Sequence, residues 1–124
     1  VPISMGDYSF KICEDLGIAL SSSISSKKVL IIASSDFSHY EPARIAEEKD
    51  KKAIKEILEL DAPGFLRVVS ENDISLCGSG PIASTIIATK RLFAKKAELI
   101  EYTSSGRATG DYSQVVGYAG ILIK

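Results

Sequence analysis

The chain has 124 residues, which is the length of one domain built around a single hydrophobic core. It carries 15 basic and 16 acidic residues, and the net charge of −1 creates no overall attraction to nucleic acid or to an anionic membrane. The apolar runs are too short to span a bilayer and no signal segment opens the chain, so we expect a cytoplasmic protein without nucleic-acid or membrane partners. In that compartment Cys13 and Cys77 are expected to be reduced thiols.

The first elements predicted along the chain are a helix and a strand. Residues 8–22 predict a helix. Its inner face would carry Ile12, Leu16, Ala19 and Leu20. The run KVLIIASS, residues 28–35, is continuously apolar between charged and small polar residues, which is typical of a strand covered on both faces. We therefore expect its large apolar side chains to be buried, namely Val29, Leu30, Ile31 and Ile32.

Three more helices and two more strands follow. Residues 43–60 predict a long amphipathic helix, and we interpret its charged run EEKDKKAIKE as a solvent-exposed face without functional weight. Residues 64–72 predict a shorter helix. A further helix is predicted over 81–95, because Pro81 in its first turn and basic residues in its last turn are typical of helix ends. Two strands are predicted at 97–104 and 114–123, the second with Val115 and Val116 buried.

The alternation of strands and helices predicts the fold class. Such a pattern is typical of a layered α/β fold with a mixed or mostly parallel sheet and helices packed on it. The chain contains no internal repeat and no low-complexity linker. We therefore expect residues 1–124 to form a single domain.

The first polar loop, SSDFSHY at residues 34–40, holds the only histidine of the chain. In open α/β sheets ligands bind beyond the carboxyl ends of strands, and Ser35, Asp36 and His39 follow such a predicted end. One interpretation is structural, with Asp36 capping a turn and His39 forming a local hydrogen bond. The other makes His39 a metal ligand or a proton-transfer residue. One histidine cannot hold a metal alone, so the second interpretation requires partner side chains.

A candidate partner is Cys77, in the motif ISLCGSGPIAS. Gly78 and Gly80 would let the backbone approach a ligand closely, and the helix that follows begins with unpaired N–H groups. A cysteine near that helix end would have its thiolate favoured, which suits a nucleophile or a metal ligand. The alternative is a buried, unreactive cysteine beside a glycine-rich helix cap.

A third loop, TSSGRATGDYS, precedes the last strand. Arg107 and Asp111, with several hydroxyl groups, would be able to contact an anionic or polar substrate. The alternative is a solvated connection between two strands.

In this order and spacing, IIASSDFSHY, ISLCGSGPIAS and TSSGRATGDYSQVVGYAGI resemble the carboxyl-terminal half of the Memo-like family. That family is related to the class III extradiol ring-cleavage dioxygenases, which are non-haem iron enzymes. The resemblance covers nearly the whole chain and implies half of a Memo-like fold. It implies that His39 is a pocket histidine and metal ligand, that Cys77 is the pocket cysteine, and that both are candidate catalytic residues. The candidate substrate-pocket residues are Ser35, Asp36, Gly78, Gly80 and Asp111.

The sequence also departs from the family, whose members carry two further pocket histidines in an amino-terminal half. A facial iron site uses two histidines and a carboxylate, a set that this chain does not complete. We therefore expect a divalent metal, iron by resemblance, in the complete protein and weak or no metal binding by this chain alone. The same absence implies self-association or a missing amino-terminal half as partner, and an exposed apolar patch.

Two other functions remain open at this point. The pocket would serve equally as a non-catalytic module that binds a small molecule or a peptide. A third hypothesis is a cysteine hydrolase that uses Cys77 with His39 as its base. All three require His39 and Cys77 in one cleft, within roughly 10 Å of each other.

Overall fold

The computed structural model describes residues 1–24 and 28–124. Helices and strands alternate only in part along this chain. The helices are α1 (Phe10–Ile24), α2 (Ala43–Leu58), α3 (Ala62–Glu71), α4 (Ser79–Arg91) and α5 (Gly106–Thr109). The strands are β1 (His39–Glu41), β2 (Ala97–Ser104) and β3 (Val115–Ile123). No helix within the described ranges is long and apolar enough to cross a membrane.

The sheet has three strands in the order β1-β3-β2, and both pairings are antiparallel. The predicted α/β class is therefore confirmed, but the prediction of a mixed or mostly parallel sheet is wrong. The connection between β2 and β3, residues 105–114, is shorter than the roughly dozen residues that a parallel crossover requires. A link of that length joins neighbouring antiparallel strands. The third loop, TSSGRATGDYS, therefore forms the connection between two strands that was the alternative interpretation of this loop.

The four longer helices and the last two strands lie close to their predicted positions. Pro63 occupies the first turn of α3, where its fixed φ angle suits a helix, and the Asp61 carboxylate accepts a hydrogen bond from the N–H of Gly64. Helix α4 begins at Ser79, two residues before Pro81. The short elements β1 and α5 carry no periodic pattern of their own and were not predicted.

The segment 28–35 is not a strand, which corrects the prediction made from its apolar run. Leu30 is 76% exposed and Ile32 77% exposed, and Val29 is exposed as well, so the prediction that they are buried is wrong. From Leu30 to Ser35 exposed and partly buried residues alternate, and the partly buried Ala33 packs against the core. The segment therefore has one covered face, and it has no neighbouring strand among the described residues.

The remaining burial predictions are met unevenly. Val115 is buried, whereas Val116 and Ile31 are only partly so. The buried face of α1 consists of Cys13, Gly17 and Ser21. The predicted inner face is wrong at Ile12 and Ala19, which are exposed. Small side chains occupy this face because α1 packs closely on α4, where a Cβ on Gly17 would lie 2.7 Å from Ile87 Cγ2.

Candidate functional site

Three side chains with metal-ligand atoms converge at one end of the sheet. They are Asp36, His39 and Cys77, and one ligand atom from each lies within 4.8 Å of the others. His39 Nε2 is 3.7 Å from Asp36 Oδ2. The cluster joins the residues that enter β1 to the residues that enter α4. Among the predicted site residues, these three converge, and Ser35 and Gly78 lie beside them.

Strand pairing and Ser75 together hold His39. His39 lies opposite Val116 at the start of β1, and its backbone N–H donates to Ser75 Oγ over 2.7 Å. On the ring, Nδ1 contacts the Ser75 carbonyl oxygen. A carbonyl only accepts hydrogen bonds, so the proton of the neutral ring belongs on Nδ1. Nε2 then presents its lone pair towards Asp36 and Cys77, which is the orientation that a metal-ligating histidine adopts.

Cys77 is held by the loop that carries Asp36. The backbone N–H of Asp36 donates to Cys77 Sγ over 3.2 Å, and Ser35 Oγ lies 3.8 Å from the same sulfur. Ser35 Oγ also accepts from the N–H of Gly78, which is the N-cap residue of α4. A Cβ at Gly78 would overlap with Ser35, so glycine is needed here for the two loops to meet.

Three of the residues singled out in the sequence lie outside this cluster. Gly80 is in the first turn of α4, where a Cβ would lie 2.5 Å from Tyr8 Cδ1, so it lets the segment that precedes α1 pack against α4. Asp111 accepts hydrogen bonds from the side chain and the backbone N–H of Ser113, and these bonds lower the pKa of its exposed carboxyl. Arg107 forms an ion pair with Glu101 at 2.6 Å.

The residues that support His39 were missed in the sequence. Ser75 precedes Cys77 by two positions, a spacing that places two side chains on the same side of an extended segment. Asp50 was assigned to the exposed face of α2, and that interpretation is wrong because Asp50 is fully buried. It lies four positions after Ala46 and four before Ile54, both buried, so helical spacing placed it on the inner face.

The cluster is open to solvent. The Asp36 side chain is 50% exposed, the His39 side chain is 24% exposed, and Cys77 is exposed. A ligand can therefore reach all three without a rearrangement of the core. Because imidazole, thiolate and carboxylate donors are combined, the set suits a transition metal better than magnesium or calcium.

The two cysteines are expected to differ in reactivity. Cys77 is exposed, whereas Cys13 is buried, and burial raises the pKa of its thiol. Iodoacetamide should therefore label one thiol per native chain, identified as Cys77 by peptide mass spectrometry, and label Cys13 only after unfolding. The variant Cys77→Ser should show no rapid labelling. Rapid native labelling of Cys13 would contradict the burial of α1 against α4.

Fold and cluster together define a small α/β protein with a solvent-exposed cluster of three candidate metal ligands. Sequence comparison gives the family: residues 1–122 match the family described as Memo-like protein, and the chain belongs to that family. The membership of the Memo-like family that was predicted from the three motifs is confirmed.

Curated relatives include MEMO1 family proteins from archaea. One from Methanococcus maripaludis is 50% identical over 127 residues, and one from Methanopyrus kandleri is 40% identical over 126 residues. Each alignment covers 100% of this chain and 44% of the relative. One from Nitrosopumilus maritimus is 44% identical over 121 residues, covering 98% of this chain and 44% of the relative. The chain therefore spans less than half the length of these relatives.

Proposed function

We propose that this chain contributes part of a divalent-metal and substrate pocket in a Memo-like protein similar to the class III extradiol non-haem iron dioxygenases. The observation that supports the proposal is the convergence of Asp36, His39 and Cys77 within 4.8 Å. These donors fit a borderline transition metal such as Fe²⁺. When bound, such an ion would act as a Lewis acid on oxygen groups of the substrate.

The three side chains would have separate tasks in this pocket. His39 offers Nε2, because its Nδ1 is engaged by Ser75. Cys77 offers a sulfur that already accepts a hydrogen bond from the Asp36 backbone. Asp36 would supply the carboxylate, either as a ligand or as a partner that orients His39.

The chain alone is proposed to be catalytically incomplete. It contains one histidine, whereas a facial non-haem iron site uses two with a carboxylate. The missing ligand would come from the rest of a polypeptide as long as the relatives, or from a second copy of the chain. The exposed apolar residues of segment 28–35 mark the surface on which we place that partner. The free thiols of Cys13 and Cys77 favour a reducing, cytoplasmic location.

Metal titration tests the proposal. Calorimetric titration with Fe²⁺ under anaerobic conditions, and with Co²⁺ as a spectroscopic substitute, should show weak binding at one site per chain. A sulfur-to-cobalt charge-transfer band should appear if Cys77 is a ligand. The variants His39→Ala and Cys77→Ser should each weaken binding at least about tenfold, because each removes one of three protein ligands.

The matched control is Asp111→Asn, which alters a hydrogen-bonded aspartate outside the cluster and should leave metal binding unchanged. Binding that survives both His39→Ala and Cys77→Ser would place the metal elsewhere and overturn the proposal. Absence of binding by a protein as long as the relatives would remove the metal from the proposal, and the pocket would then be tested as a metal-independent site for a small molecule or peptide.

A further inference from the structure

A fully buried carboxylate lies directly behind the cluster. Asp50 of α2 is 0% exposed, and its Oδ1 accepts two hydrogen bonds from Ser38, from the backbone N–H at 3.0 Å and from Oγ at 2.7 Å. Its Oδ2 accepts a hydrogen bond from the Tyr102 hydroxyl of β2 at 2.8 Å. One side chain therefore ties together α2, β2 and the residue that precedes His39.

The surrounding backbone is shaped around this carboxylate. Gly117 of β3 accepts a hydrogen bond from the N–H of Phe37 and donates one to the carbonyl of Ser38, both at 2.9 Å. A Cβ at Gly117 would overlap with Asp50 Oδ2. The strand therefore needs glycine where the carboxylate meets it, and the positions of residues 37 and 38 are fixed from two sides.

This carboxylate is costly to bury. No basic side chain within the described ranges forms a salt bridge with Asp50, and its only partners are neutral donors. An ionised carboxylate in such surroundings loses hydration that hydrogen bonds replace only in part, and an apolar side chain of similar size avoids that loss. Asp50 therefore contributes to the structure through the geometry that it imposes on its hydrogen-bond partners.

We propose that Asp50 is a positioning residue of the pocket: it anchors Ser38, so that His39 enters the cluster with Nε2 directed at Asp36 and Cys77. Ser38 is fully buried, and the next residue along the chain is His39 itself. Ser75 holds His39 from the opposite side. The two anchors restrain the backbone that leads into His39 and the ring itself. The catalytic or metal-binding consequence of this anchoring rests on the proposed function, whereas the anchoring itself does not.

The experiment measures the imidazole of His39 directly. Since His39 is the only histidine, its ring ¹⁵N and ¹H signals in NMR need no assignment. At a pH where the ring signals are those of a neutral imidazole, the native ring should carry its proton mainly on Nδ1. The variants Ser38→Ala and Asp50→Ala should reduce the Nδ1–H population at least about twofold, because the released ring also adopts the other tautomer. They should also weaken Co²⁺ binding about tenfold.

Two further variants separate positioning from general stability. Asp50→Asn keeps an oxygen acceptor for both Ser38 hydrogen bonds and should retain the native tautomer. Ile57→Val removes one methyl group from the buried face of the same helix, away from Ser38, and should leave the ring signals unchanged.

The possible outcomes are distinct. A folded Asp50→Ala chain with native ring signals would overturn the proposal, and so would an equal change in Ile57→Val. If Asp50→Ala does not fold, Ser38→Ala decides the question by the same signals. If a protein as long as the relatives binds no metal but the tautomer shifts in Ser38→Ala, the proposed function fails while the positioning role of Asp50 stands.

Discussion

A chain that carries Leu30→Lys and Ile32→Lys is expected to remain monomeric at concentrations where the native chain self-associates. Both side chains are more than three-quarters exposed, and they point away from the core on a segment that has no neighbouring strand among the described residues. Covering one Leu or Ile contributes about 1.5–3 kcal/mol, so losing both would weaken association at least about a hundredfold. Sedimentation velocity over a concentration series measures the effect.

The control for this prediction is an exposed apolar residue elsewhere. Ile100 on β2 is also largely exposed, and Ile100→Lys should leave self-association unchanged if the segment 28–35 is the contact surface. A native chain that stays monomeric throughout would show that a second copy does not cover this surface. The remaining proposed occupant would then be the additional polypeptide found in the longer relatives.

The failure at residues 28–35 shows what an apolar run can predict. Such a run indicates that other residues cover the segment. Which residues cover it depends on the rest of the chain and, in an assembly, on other chains. In the structure only the face that carries Ala33 packs against the core. The four longer helices and the strands β2 and β3 were predictable because their patterns are satisfied within the chain, by periodic apolar positions and local end signals.

Three of the predicted site residues converge in the structure, but the sequence did not reveal the contacts that hold them together. Asp36 and His39 were chosen because they follow a predicted strand, and that strand does not form. Cys77 was chosen because it precedes the start of a helix, and that helix does form. Their convergence depends instead on side chain–backbone contacts between distant loops, from Ser35 to Gly78 and from His39 to Ser75. Such contacts have no periodicity, so single-sequence patterns do not contain them.

Asp50 is the opposite case. Its helical spacing indicated a buried position, but the charged residues around it led to the prediction of an exposed face. A helix position that continues the series Ala46, Ala53, Ile54 and Ile57 lies on the inner face whatever residue occupies it. The charged neighbours made an exposed face the natural interpretation. When a charged residue is spaced like the buried positions of its helix, that spacing therefore indicates a buried polar contact even if the neighbouring residues are charged.

The stability difference between the native chain and Asp50→Asn is expected to depend on pH. Burial raises the pKa of the Asp50 carboxyl above its ordinary value of 3.8, although hydrogen bonds from Ser38 and Tyr102 act in the opposite direction. Below the unfolded pKa both states are protonated and the contribution of Asp50 to stability is complete. Between the unfolded and the folded pKa, the Asp50 carboxyl ionises more readily in the unfolded chain than in the folded chain. The contribution of Asp50 to stability is therefore lost as pH rises through the folded pKa.

Asparagine has no such proton, so Asp50→Asn should gain stability relative to the native chain as pH rises above the ordinary carboxyl pKa of 3.8. Urea unfolding of both chains over a series of pH values measures the difference in free energy of unfolding, and each pKa unit corresponds to about 1.4 kcal/mol. Asp111→Asn is the control of opposite sign, since hydrogen bonds from Ser113 lower the pKa of Asp111 and its contribution is lost as pH falls. A difference between Asp50→Asn and the native chain that stays constant with pH would show that Asp50 titrates alike in the folded and unfolded states.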